Sequence, residues 1–167
     1  MSKDQSKELL QFLKPFDDKI TDLVLWLRDF AWDLCPEANE LIYDNYNAVA
    51  VGWSPTDRIG HIICSIAVGR SSKNIHFGFY WGTELSDPDK ILLGKGNQYR
   101  YILVTDKTKF PKTYMKKLVM QASANSISKI KDPKQLMRGK TIVKSVSAKK
   151  RPGKSSKDSK ILKKGGK

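Results

Sequence analysis

Thiols, imidazoles and C-terminal acids are what this chain has least of. Its 167 residues include two cysteines and two histidines. Cys35 and Cys64 lie far apart and form no CxxC-type pair, which excludes the usual dithiol redox and zinc-knuckle spacings. No apolar run approaches the roughly 20 residues of a membrane span. The residues after Met1, 2–8, are polar and charged, so no signal peptide is expected. A cytoplasmic protein with reduced thiols follows as the expectation. Acids nearly vanish at the end of the chain: residues 138–167 hold 12 Lys/Arg against Asp158 alone. Of the totals of 31 basic and 17 acidic side chains, residues 1–137 keep 19 and 16. The body is therefore near +3 and the tail near +11. The overall pI of 9.8 permits nucleic acid, an anionic membrane surface or acidic proteins as partners.

Apolar periodicity is present in the body. Residues 5–14 and 17–34 read as helices, with Pro15 between them. Ile20, Leu23, Val24, Leu27, Phe30, Ala31 and Leu34 form one stripe at three- and four-residue spacing. Asp17 or Asp18 is placed to cap the second helix. Pro36 ends it and opens a short helix expected from Glu37 to about Tyr43. Residues 45–53 read as a strand, and Ser54, Pro55, Thr56 and Asp57 as a turn. Segments 59–68 and 73–81 read as a hairpin turning at Gly69, Arg70, Ser71 and Ser72. In that register Ile66 opposes Ile75, Cys64 opposes Phe77 and Ile62 opposes Phe79, which gathers the apolar residues on one face.

Asp87 and Pro88 read as a helix start, and Gly94 or Gly96 as its stop. Residues 99–104 form a further strand. Pro111 opens a helix over 112–130, with Met115, Leu118, Val119, Ala122 and Ile130 on its apolar face. Beyond Pro133 the period dissolves. Lys, Ser and Gly dominate from Ser147, and such a composition does not offset its own ordering entropy. The expected architecture is α+β: a single two-layer domain over 1–137, a mostly antiparallel sheet with helices on one face, and a disordered basic tail over 138–167.

Three stretches carry a family resemblance: ELIYDNYNAVAVGW from Glu40, CSIAV from Cys64, and NIHFGFYWGTELSDPDKILLGKGNQYRYILV from Asn74. Together they resemble the YdhG-like family of small bacterial domains, over about residues 15–130. Many members carry Gly-Met-Pro where this chain has residues 43–48, which lack it. The resemblance implies helices packed on an antiparallel sheet. Some relatives are regarded as frataxin-like iron chaperones, so iron is implied as a cargo by the resemblance alone. It brings no catalytic motif, and the tail lies outside it.

The tail is the first candidate site. Lys149, Lys150, Arg151, Lys154, Lys157, Lys160, Lys163 and Lys164 are spread through Ser and Gly. Such an arm supplies sequence-blind, salt-dependent contact with DNA, RNA or another polyanion. It has no aromatic residue for base stacking. Its alternative is a solubilising tail. The polar face of the sheet is the second candidate. Strand parity can gather Asn45, Asn47, His61, His76, Tyr80 and Arg100 there, with Trp53 and Trp81 at the rim, as a ligand groove or an ordinary solvated face. His61 and His76 fall roughly 13 Å apart along the strands, too far for one metal ion with bonds of about 2 Å. The resemblance implies an iron-binding surface at Asp17, Asp18, Asp22 or Asp29; read from the residues, these acids are the solvent face and caps of a helix.

Gly94, Lys95 and Gly96 lack the length and Lys-Ser/Thr ending of a phosphate loop. No Ser-His-Asp, Cys-His or paired-carboxylate arrangement is evident. The expectation is a non-enzymatic binding module. The alternatives are an iron chaperone and a small-molecule enzyme using the sheet face.

Overall fold

The computed structural model describes residues 6–153. Its elements run α1 (Lys7–Leu13), α2 (Asp18–Leu34), β1 (Asn39–Asp44), β2 (Ala48–Ser54), β3 (Cys64–Gly69), β4 (Ile75–Phe79), β5 (Arg100–Val104), α3 (Lys112–Ser128) and β6 (Thr141–Val146). The strands form one sheet in the order β5-β4-β3-β2-β1-β6. Every pairing is antiparallel except that of β1 with β6. This is the expected α+β architecture, and the three helices stand close to where the sequence puts them. The Asp17 carboxylate caps α2, accepting from Ile20 N at 2.8 Å.

All three helices bury their apolar residues in a single cluster against one face of the sheet. That face carries Val49, Val51 and Trp53 of β2, Cys64, Ile66 and Val68 of β3, and Ile75, Phe77 and Phe79 of β4. Edge-to-face ring contacts join the layers: Phe30 meets Phe77 at 5.8 Å and Phe110 at 5.1 Å, and Trp32 meets Trp53 at 6.1 Å. The strict buried/half-exposed alternation of β3 marks the other face as one that no helix covers.

Several expectations need correction. In the β3–β4 hairpin Val68 opposes Ile75 and Ile66 opposes Phe77. The pairing is displaced by two residues from the expected register, so the facing parity survives. The loop takes in Lys73, whose φ of 60° supplies the left-handed turn conformation, and Gly69 N donates to Asn74 O. Residues 59–61 are a 3-10 turn rather than strand.

The helix expected over 37–43 is instead β1. Leu41, Ile42 and Tyr43 suit a pleated strand, and seven residues are too few to hold a helix against two strand partners. No helix follows Asp87: Lys90 adopts φ 53°, which stops helical propagation, while Leu93 bridges to Tyr101. The Asp87 carboxylate still caps, accepting from Ile91 N, Leu92 N and the Tyr114 hydroxyl.

The largest correction concerns the tail boundary at 138. Residues 141–146 are β6, pairing parallel with β1. The Asn39 amide donates to Ser54 O and Met137 O while its oxygen accepts from Lys140 N. These bonds lead the chain back to the sheet after α3. The ordered body therefore extends beyond residue 137.

Candidate functional site

Alternation along each strand decides what stands on the uncovered face. Ile102 and Val104 of β5 point into the core, so Arg100, opposite Phe79, shares their face. This removes Arg100 from the expected groove; its Nη1 donates to Gly96 O and Tyr99 O at 2.7 Å. Tyr99, Tyr101 and Leu103 occupy the uncovered side instead. His76 opposes Leu103, and its ring stacks on Tyr101 at 4.0 Å with 2° between planes. Tyr101 lies 5.6 Å from Tyr99 at 19°.

The result is a row of three rings across β4 and β5. A side chain at Gly78 would collide with the Tyr99 ring, so this glycine is what lets the Tyr99 ring pass over β4. Burial raises the Tyr99 pKa to about 12, against the opposite effect of a hydrogen bond with Ser65. Burial lowers that of His76. The middle of the face is paved by small residues, Ala48, Ala50 and Ala67, all half-exposed.

At the other end the segment 57–62 crosses the sheet, and Ile62 packs against Gly52. His61 sits in this crossing turn, not on a strand. Its Nδ1 pairs with the Thr56 hydroxyl at 2.8 Å, and its carbonyl accepts from the Ser126 hydroxyl. Burial lowers the His61 pKa, with Arg58 and Lys129 adding to the effect. Trp81 latches the turn, its indole N–H donating to Gly60 O at 2.7 Å. Trp53 is no rim residue: it is fully buried in the core.

Asn45 and Asn47 lie in the β1–β2 turn, not on the strand face. Asn45 takes the Ser145 hydroxyl on its side-chain oxygen, and Asn47 takes Arg151 Nη1. The segment 147–153 runs along these turns. Lys150 donates to the Asp44 carboxylate at 2.7 Å, and Asp44 also pairs with Arg70. Two of the candidate tail cations, Lys150 and Arg151, are therefore engaged with the body. The Lys149 side chain is exposed. Lys154, Lys157, Lys160, Lys163 and Lys164 lie outside the described residues.

Of the residues expected on the face, the structure keeps His76 and Tyr80 there and brings His61 to its margin. Tyr43, Arg58, Tyr99, Tyr101 and Lys144 were not anticipated. Tyr43 was hidden by the helix reading of 37–43 and Lys144 by the tail reading. For Tyr99 and Tyr101 a signal existed, since the odd positions of 99–104 are aromatic or apolar throughout. Asp17 is a cap, and Asp18 and Asp29 are exposed on α2. Among the described residues no group of three or more His, Cys, Asp or Glu could hold a metal ion, and no helix is long and apolar enough to cross a membrane. Cys35 and Cys64 are both buried and unpaired by any disulfide. No family model, curated protein or solved structure matches the chain.

Proposed function

We propose that this protein is a non-enzymatic module that binds single-stranded nucleic acid on the uncovered face of its sheet, with lysines of the C-terminal arm adding phosphate contacts. The observation that carries this reading is the row of stacked rings, His76, Tyr101 and Tyr99, on a face that no helix covers. The inner faces of these rings are turned to one another, so a base extends the stack at an end of the row, and such stacking contributes about 1–3 kcal/mol per base. An uncovered sheet face paved with alanines suits unpaired bases better than a duplex, whose bases are already stacked on each other. Arg58 and Lys144, both exposed, stand at the far margin of the same face. The arm beyond Gly153 carries six further lysines. Charge gives affinity, and the rings give the preference for unpaired strands.

The test is fluorescence anisotropy with labelled dT20, rU20 and a 20-bp duplex at matched salt. Single strands should bind more tightly than the duplex. Tyr101→Ala, which removes the ring that holds His76 and Tyr99 in one stack, should weaken single-strand binding about tenfold, and leave duplex binding unchanged. Equal affinity for single strand and duplex, with Tyr101→Ala silent, would sink the proposal and reduce the protein to a polycation.

A further inference from the structure

A cavity of about 640 Å³ opens between the crossing turn and the β1–β6 edge. Its wall includes Tyr43, Asp57, Arg58, Ile59, His61 and Lys144. Three features mark it as more than a surface dent. First, the Tyr43 hydroxyl beside the cavity is closed to solvent and has no hydrogen-bond partner; a donor in that state is costly unless something completes it, and a small turn of the Tyr43 ring would bring it to a ligand. Second, no ion pair neutralises Arg58 or Lys144 among the described residues, although Asp57 shares the cavity. Third, Lys144 is placed by a break in register. Ile42 opposes Val143 and Tyr43 opposes Ser145, so Lys144 is the extra residue of a bulge. Bulges recur where a side chain must be re-aimed.

The chemistry of the wall narrows the ligand. Two unpaired cations and a phenol suit a doubly charged phosphate better than a carboxylate. Burial, with Tyr80 and Asp57 nearby, raises the Tyr43 pKa, which keeps the phenol a donor at neutral pH. The volume exceeds what inorganic phosphate fills and falls in the range of small-molecule sites. The Tyr43 ring and the half-exposed Ile59 side chain offer apolar wall, and Asp57 offers an acceptor for sugar hydroxyls or base N–H groups. We propose that this cavity binds a nucleoside 5′-phosphate, either a free nucleotide or the phosphorylated end of a strand. The inference uses a different part of the face from the ring row and does not require strand binding there.

Isothermal titration of the full chain with adenosine 5′-monophosphate, adenosine and inorganic phosphate tests it, alongside dT12 with and without a 5′-phosphate. The monophosphate, or the phosphorylated dT12 relative to its hydroxyl form, should bind at least tenfold more tightly than the phosphate-free counterpart. The first outcome identifies free nucleotides as the source, the second strand ends. Lys144→Met should remove about tenfold of that preference. Tyr43→Phe should remove a similar factor while the melting temperature holds or rises, because the variant deletes an unsatisfied buried hydroxyl. A merely structural tyrosine would give the opposite pattern. If neither phosphorylated probe is preferred, or the preference survives both variants, the inference fails. The ring-row reading still stands if Tyr101→Ala weakens dT20. Conversely, a nucleotide preference with Tyr101→Ala silent keeps the cavity and discards the ring row.

Discussion

At the scale of single residues, the buried charges are the sharpest points of dependence. Arg28 and Glu40 are each almost wholly buried and pair through two contacts of 2.5 and 3.0 Å. The Thr141 hydroxyl adds a third bond to the Glu40 carboxylate. Arg28→Met should cost about 3–5 kcal/mol, since it leaves a carboxylate buried with too few partners, while Arg28→Met with Glu40→Leu should recover most of the loss. Urea denaturation of the three proteins checks this. The histidines give a pH dependence. Both pKa values are lowered in the folded state, His61 by burial with Arg58 and Lys129, His76 by burial. On acidification the unfolded chain takes up protons first, from about pH 6.5, so stability is full above that pH and falls toward the lower folded pKa values. The urea midpoint should drop between pH 7.5 and 5.5, with a shallower drop in His61→Gln/His76→Gln.

At the scale of elements, local pattern was legible wherever one face alone is apolar. The stripe of residues 17–34 gave α2, and the parity of Ile66 and Val68 against Ile75 and Phe77 gave the buried face of the hairpin. The two-residue error in its register has a local cause: only the backbone conformation of Lys73 reveals how long the turn is. β1 was illegible because it is buried on both sides, so Leu41 and Ile42 show no alternation. β6 was illegible because it lies at an edge, mostly exposed, with Thr, Lys and Ser among its residues. Its place is made by β1 and by the Asn39 amide. Ending the chain after Met137 removes β6, including the 2.7 Å bond from Glu40 N to Lys140 O. At about 1 kcal/mol net per hydrogen bond, this truncation should destabilise by several kcal/mol. Ending it after Gly153 should leave the urea midpoint unchanged.

At the scale of the molecule, the charge divides differently from how it reads along the chain. Lys150 and Arg151 are spent on Asp44 and Asn47, and six further lysines follow Gly153 in the sequence. Each single-strand phosphate neutralised contributes about 0.7 to the slope of log affinity against log salt. Removing residues 154–167 should therefore lower the slope for dT20 by up to about 4, while the ratio of single-strand to duplex affinity persists. Anisotropy titrations across a salt series on the two chains measure both quantities.

Helix stripes, hairpin parity and the basic end of the chain were determined by sequence alone, because each depends on neighbours a few residues apart. The uncovered face was decided only by the tertiary structure. Tyr99, Tyr101 and His76 become a row because β4 and β5 pair in one register. Tyr43 and Lys144 line one cavity with Arg58 because β6 returns past α3 to lie beside β1. Residues roughly a hundred positions apart share a site through strand order, and strand order is set by which edge of the sheet remains open once the core has been buried.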